Sequence, residues 1–448
     1  MILTDDQRFD TLGATGHTPI KTPAIDRLAR DGVLFENAFV ITPVCAPSRA
    51  TILTGRSTYA HRVTRNRQYL AGGVPTIATM LRHAGYETAF FGKYHLAADS
   101  GPEPGWSHWV GFLLHADGGR GLQYNNAQFT IDGRVQETKG YSTDVLAQFA
   151  ADFIEADRRN PFFVVLSLKS PHGWFRPARR HKSLFDDVVI ELPASYSDPL
   201  DALPAWLRGD SGERPIIHAD ILRTGFDSLA QRAADPVREL TRLYWRMIPS
   251  VDDAVASVVA ALQRRGAMDK TVVIFAGDNG LLLGEHGIIG KGSAYDPSLR
   301  VPLIIHDPSR RTNAERRREQ VLNLDLAPTI LDYAGVAIPA VMSGRSMRAL
   351  IDQPASKWRS DWLIVGHSVK HAASDQPQFL GVRSAEWKYV RYLFGGLDEQ
   401  LFHLSADPDE RHNLANDAAQ AAVMERMRSR LGELMREAGM PAGWSQSY

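Results

Sequence analysis

The sequence predicts an α/β fold, in which a large, mixed but mostly parallel sheet is sandwiched between helices and a smaller C-terminal antiparallel sheet carries one further helix. Two continuous apolar runs, 161–168 and 271–276, have the composition of strands buried on both faces. Strand-like and helix-like segments alternate from the start to Gly335, the pattern of crossover units in a parallel sheet. Beyond Gly335 the pattern changes to short strands at close spacing, which suits an antiparallel sheet. The division is placed at that change: residues 1–337 form the large domain and 338–448 the C-terminal subdomain.

Taken in order, Met1-Ile2-Leu3-Thr4 is a short first strand that runs directly into Asp5-Asp6. Thr22-Pro23 and Gly32 bracket a helix over 24–31, with Thr22 as its cap. Residues 33–41 read as a strand. Pro47 suits a first helical turn, 48–53 continue it and Gly55 ends it, which places Cys45 among the unpaired N–H groups of a helix start. Residues 74–84 read as a helix, and 88–91 as a buried strand leading to Gly92-Lys93-Tyr94-His95. Further helices run from Thr143 to about Arg159 and from Asp252 to Gly266. Residues 302–306 and 320–323 continue the alternation, and Asp325 caps the helix that ends near Gly335. The late strands are 362–365, 379–383, 388–393 and 400–404, with a helix over 418–437 packed on them. Residues 173–245 are rich in Pro, Asp and Arg with weak periodicity, a long loop region of a kind that is often functional. Its Trp174, Arg176 and Trp206 either stack on a sugar ring or fill a satellite core, and the core role is the expectation.

Lys plus Arg and Asp plus Glu number 51 each, so no global basic field draws the chain to nucleic acid or to a membrane. A hydrophobic fraction of 44% over 448 residues supports a large core. No apolar run approaches the roughly 20 residues of a membrane span, and no leader opens the sequence. The expectation is a cytoplasmic protein as the sequence stands, or a periplasmic or secreted one if a leader was removed. The single cysteine, Cys45, excludes an intrachain disulfide. Oligomeric state is left open.

Two acidic pairs come directly after strands, Asp5-Asp6 and Asp278-Asn279. Past a strand end, adjacent side chains no longer alternate between faces and can converge. Four oxygen-bearing groups without a thiolate suit a hard cation, Ca²⁺ ahead of Mg²⁺. Alone, each pair is also an ordinary strand-end turn, and a lone cysteine is a small buried hydrophobe.

As a set, these residues resemble a known family. Cys45-Ala46-Pro47-Ser48-Arg49 resembles the C-x-P-S-R signature of type I sulfatases, the formylglycine-dependent members of the alkaline phosphatase superfamily, and Thr54-Gly55-Arg56 matches the usual continuation. Asp5-Asp6-Gln7, Gly92-Lys93-Tyr94-His95-Leu96, Ser170-Pro171-His172, Asp278-Asn279-Gly280 and Leu283-Gly284-Glu285-His286-Gly287 are similar to further motifs in the family's order. So are Gly290-Lys291, Arg300-Val301-Pro302-Leu303-Ile304, and Asp407-Pro408-Asp409-Glu410 with Asn413-Leu414. Tyr94, Gly277, Gly173-Trp174 and Asp296-Pro297 depart from the usual pattern and bear on substrate more than on reaction type.

The resemblance implies an alkaline phosphatase-like fold and hydrolysis of a sulfate monoester, by preference on a sulfated carbohydrate, with a small alkyl or aryl sulfate also compatible. It implies that a formylglycine-generating enzyme oxidises Cys45 to an aldehyde, whose hydrate attacks sulfur and displaces the alcohol. Loss of the second hydroxyl proton then lets the sulfated diol collapse to aldehyde and expel sulfate. The part of a divalent metal is to acidify and orient the attacking hydroxyl. By the same match, Asp5, Asp6, Asp278 and Asn279 hold the metal with residue 45, and Arg49 steadies the diol. Lys93 and Lys291 hold sulfate oxygens, His95 takes the second proton and His172 assists the departing oxygen. His286 either lines the pocket or pins the glycine-rich loop. A phosphonate monoester or phosphodiester hydrolase of the same superfamily is the alternative, against which Asn279 counts because such relatives tend to carry histidine there. A binding protein without turnover is a third reading.

Overall fold

The computed structural model describes residues 1–448 except 18, 98–100, 114–122, 200–202, 205–234, 311–313, 354–356, 368, 372–373, 377, 394–397 and 441–448. Trp206 therefore lies outside the described residues.

The main sheet has ten strands: β1 (Ile2–Thr4), β2 (Val33–Phe35), β3 (Glu87–Gly92), β4 (His108–Phe112), β5 (Gln128–Ile131), β6 (Arg134–Glu137), β7 (Phe162–Ser167), β8 (Val273–Gly277), β9 (Leu303–His306) and β10 (Glu315–Arg317). Their order is β10-β2-β9-β8-β1-β7-β3-β4-β5-β6. The central strands β8-β1-β7-β3-β4 are parallel. Antiparallel pairings of β9 on one side and of β5 and β6 on the other make the sheet mixed.

Successive side chains of a strand point to opposite faces, so Phe163 and Val165 of β7 enter one core and Val164 and Leu166 the other. The helices Cys45–Thr54, Ile77–His83 and Leu326–Tyr333 cover the first. Pro23–Arg30, Ser142–Glu155 and Ile248–Arg264 cover the second. Burial on both faces is why these strands read as unbroken apolar runs.

Behind this body, the strands Asp361–Gly366, Phe379–Ser384, Trp387–Tyr392 and Glu399–His403 form an antiparallel sheet in that order. The helix Ala421–Glu437 lays Met424, Met427, Leu431 and Leu434 on it, a spacing of three and four that keeps one helical face buried. No helix among the described residues is long and apolar enough to cross a membrane.

Several expectations are corrected. The strand over 33–41 is broken into β2 and the pair Ala38–Phe39, which joins Val321–Leu322 in a separate two-stranded sheet. Thr22 precedes its helix but does not cap it: its hydroxyl donates to Asp26 Oδ1 at 2.7 Å. The helix-start N–H groups of Ile25 and Ala24 are accepted instead by Asp252, at 2.8 and 3.2 Å, from inside the Ile248–Arg264 helix. Asp325 likewise makes no cap to its own helix and binds Arg359, Leu322 N and Arg345 N. The helix opened near Thr143 stops at Glu155. Within the stretch read as loop, Pro236–Trp245 is a regular helix capped by Asp235, an Asp-Pro start that the sequence displayed. Trp174 is not core: it is 44% exposed with φ 60°, while Phe175 turns inward.

The parallel strands end on one edge of the sheet, where the chain leaves β1 as Asp5-Asp6, β3 as Lys93, β7 as Lys169-Ser170-Pro171-His172 and β8 as Asp278-Asn279. Gly92, the last residue of β3, stands at φ 123°, and a Cβ there would meet Ser167 O at 1.8 Å. Gly92→Ala is therefore expected to cost at least about 2 kcal/mol from the left-handed backbone and the clash. Urea unfolding measures it, and an unchanged midpoint would contradict the close approach.

Candidate active site

Cys45 is the first residue of its helix, fully buried, with Pro47 in the first turn and Gly55 (φ 62°) ending the helix. Its Sγ lies 3.2 Å from Asp5 Oδ1, 3.9 Å from Asp6 Oδ1 and 2.6 Å from Lys291 Nζ. One helical turn further, Arg49 sends Nε to Asp278 Oδ2 at 2.8 Å and Nη1 to Ser167 Oγ at 2.6 Å, and its Nη2 stands 3.8 Å from Asp5 Oδ2. Lys93 pairs with Asp5, and Lys291 with Asp6. Asn279 donates Nδ2 to Asp6 Oδ1 at 2.7 Å, and the backbone N–H of Asp6 donates to Asp278 Oδ1 at 3.1 Å.

Three carboxylates thus face three cations in a buried cluster, and none could be desolvated at acceptable cost without the others. Burial works against the charged form of Asp5, yet Lys93, His172, Arg49 and Lys291 hold it well below the usual carboxylate range. Burial and then the charge of Asp5 push Asp278 up to about 7. The Cys45 thiol is driven far above its ordinary value, by burial first and Asp5 second, against Lys291 and Lys93. A thiol held protonated in this way is a poor nucleophile.

The two histidines flank this cluster. His172 Nε2 is 3.7 Å from Asp6 Oδ2, and burial lowers the imidazole to about 4 although Asp5 and Asp6 raise it. His95 comes two residues after Lys93 at φ 63° with a buried Nδ1 that has no hydrogen-bond partner; burial and the charge of Lys93 hold it well below its ordinary value. The ten residues named from the sequence as catalytic or metal-holding therefore gather at one edge of the sheet. His286 stands apart: its ring stacks on Tyr295 at 3.9 Å, its Nδ1 lies 3.5 Å from Asp198 and its N–H donates to Ser195 Oγ, so it pins the glycine-rich loop.

The carboxylates of Asp5 and Asp6 and the amide oxygen of Asn279 suit a hard cation, whereas the Cys45 thiol and His172 imidazole gathered with them are softer donors. Ligand atoms of Asp5, Asp6, Cys45 and His172 all lie within 4.8 Å of one another, and Asn279 Oδ1 is buried without a hydrogen-bond partner.

Supporting residues escaped the sequence reading. Ser48 donates to the Asp278 carbonyl and accepts from Asn323 Nδ2 at 2.8 Å. Tyr244 donates to Asp6 O at 2.8 Å and accepts from Arg8 N. Lys169 is buried with Nζ 4.0 Å from the Tyr124 ring centre, and burial, then the charge of Lys93, lowers it to about 7. Ser48 lay inside the quoted motif; Asn323 and Tyr244 are distant in sequence, and no local pattern marks them.

A family model described as Sulfatase matches residues 1–336, and one described as N-sulphoglucosamine sulphohydrolase, C-terminal, matches 284–437. The N-acetylglucosamine-6-O-sulfatase of Bacteroides thetaiotaomicron is 27% identical over 97% of this chain and 86% of its own length. A solved structure of a protein in complex with its substrate D-glucosamine-2-N,6-O-disulfate matches with a TM-score of 0.87 at 25% identity, covering 100% of this chain and 99% of that one. The phosphonate monoester hydrolase of Agrobacterium radiobacter shares the fold, with a TM-score of 0.76 at 23% identity over 98% of this chain and 95% of its own. With a Sulfatase family model over residues 1–336 and nearly its whole length matched by such relatives, the chain belongs to the sulfatase family and is a sulfuric ester hydrolase.

Proposed function

We propose that the protein removes sulfate from a sulfated carbohydrate, an amino sugar sulfate by preference, using a formylglycine made from Cys45. The observation that carries this reading is the placement of a thiol unfit for attack at the centre of three carboxylates and three cations. Oxidised to the aldehyde by a modifying enzyme and hydrated, the same side chain presents two hydroxyls in place of the thiol. One gives up its proton to water and attacks sulfur as the sulfur–oxygen bond to the sugar breaks. His95 takes the proton of the other, whereupon the diol returns to aldehyde and sulfate leaves.

Arg49 fixes the diol through its position on the same helix. Lys93 and Lys291 bind sulfate oxygens, and their charges match the negative charge that builds on them. His172 supplies the proton to the departing sugar oxygen; the anionic substrate beside it favours the protonated imidazole. Asp5, Asp6, Asp278 and Asn279, with residue 45, hold a divalent cation, Ca²⁺ in preference to Mg²⁺, whose contribution is to acidify the attacking hydroxyl. The machinery belongs to residues 1–337, with 338–448 as a subdomain. Amino sugar sulfates are preferred because two matched proteins are named for, or bound to, such compounds.

Co-expression with a formylglycine-generating enzyme is expected to convert Cys45 to the aldehyde in intact-mass spectra, and turnover to scale with the converted fraction. Full activity of wholly unconverted protein would sink the nucleophile assignment. Cys45→Ala is expected to abolish sulfate release with little change in thermal midpoint. Removal of metal by a chelator is expected to lower both activity and thermal midpoint, with Ca²⁺ restoring both; a cation at about 100 times its Kd adds about 2.7 kcal/mol of stability. Indifference of the midpoint to Ca²⁺ would remove the four oxygen-bearing residues from the ligand set. The substrate is decided by a hydrolysis screen of the aldehyde form on glucosamine 6-sulfates, aryl sulfate and phosphonate monoester. Faster phosphonate than sulfate cleavage would overturn the proposal in favour of the superfamily alternative.

A further inference from the structure

We infer that Lys388, in the C-terminal antiparallel sheet, is a positioning residue that fixes Lys291 in the active site through Asp296; the inference rests on the sulfate-binding role proposed for Lys291. Lys291 is flanked by Gly290 at φ 136°, which pairs with Leu282, and by Gly292 at φ 92°, whose N–H donates to Ser298 Oγ at 3.0 Å, so its placement depends on how both sides of this segment are held. The segment from Ala294 to Asp296 is anchored hard. Lys388 Nζ, fully buried, donates to the carbonyl oxygen of Ala294 at 2.9 Å and pairs with both Asp296 and Glu410. Asp296 also receives Arg383 Nη2 at 2.7 Å, and its own N–H donates to Glu410 Oε2 at 2.6 Å. Next to it, Tyr295 OH accepts from Gln400 Nε2 at 3.2 Å.

Two cations and two carboxylates make this knot neutral, and Lys388 is the member that touches both acids and the backbone of the Lys291 loop. The motif Asp407-Pro408-Asp409-Glu410, which the active site itself does not use, supplies the second acid. Asp407 accepts the N–H groups of Arg411 and His412 at 3.1 and 2.8 Å, and Glu410 takes φ 56°, which turns its carboxylate inward. The late sheet thus acts on catalysis by holding the far end of the segment whose near end reaches Asp6 and Cys45.

The test is a double-mutant cycle on the aldehyde form with an aryl sulfate, whose good leaving group keeps the Lys291→Ala rate measurable. Lys388→Met is expected to lower kcat/KM by about 10- to 100-fold, as loss of an outer partner does. In the Lys291→Ala background the same change is expected to cost less than about 2-fold. Any fall in thermal midpoint should be equal in both backgrounds. An equal loss of rate in both backgrounds would reduce Lys388 to a general structural residue and overturn the inference. Should Lys388→Met fail to fold, Glu410→Gln, which keeps a hydrogen-bonding amide, takes its place in the same cycle with the same two outcomes. If the wild type releases no sulfate, the proposed function fails separately. Crystal structures then decide the positioning claim: Lys291 displaced from Asp6 in the variant upholds it, and Lys291 unmoved overturns it.

Discussion

Everything at the candidate catalytic edge depends on one electrostatic constraint: Asp5, Asp6 and Asp278 are buried together and tolerate burial because Arg49 and Lys93 are buried with them and the partly exposed Lys291 pairs with Asp6. The six are spread over several turns and strand ends, so satisfying the charges fixes the relative placement of β1, β3, β8, the Cys45 helix and the Lys291 loop at once. The same constraint prepares the edge for an anion. A divalent cation added to a neutral cluster leaves it positive, and a sulfate monoester is the kind of ligand that positive, water-poor edge favours.

The fold was largely legible because burial on both faces writes itself into composition. The runs that became β7 and β8 have almost no polar residues to place, and glycine or Thr-Pro punctuation marked the ends of the helices around them. What the sequence misplaced was settled by partners far along the chain. Thr22 had the residue type of a cap, but Asp252 reached the N–H groups from another helix, and no local window contains both. Trp174 had the apolar mass of a core residue, yet the left-handed turn at that position sends it outward while its neighbour Phe175 takes the interior.

The gathering of charged residues at this edge was legible for a different reason. Parallel strands discharge their next residues on one side, so acidic pairs, lysines and histidines placed just past apolar runs had to meet if those runs paired. Asn323 and Tyr244, which help brace the acidic loops, left no such trace, because a single hydrogen bond between distant residues asks only for one polar group of suitable length at each end.

The burial of the Cys45 helix also carries a consequence for the order of events in the cell. Cys45, Ala46, Pro47 and Arg49 are all shut inside the folded chain, with Arg49 only 2% exposed. On the proposed function, an enzyme that converts Cys45 has no approach to it once the sheet and its helices have closed. Under the proposed use of Cys45, conversion would compete with folding: a chain that folded first would lock an unconverted thiol inside a well-made but inert protein, and the yield of working molecules would be set by a race run during synthesis.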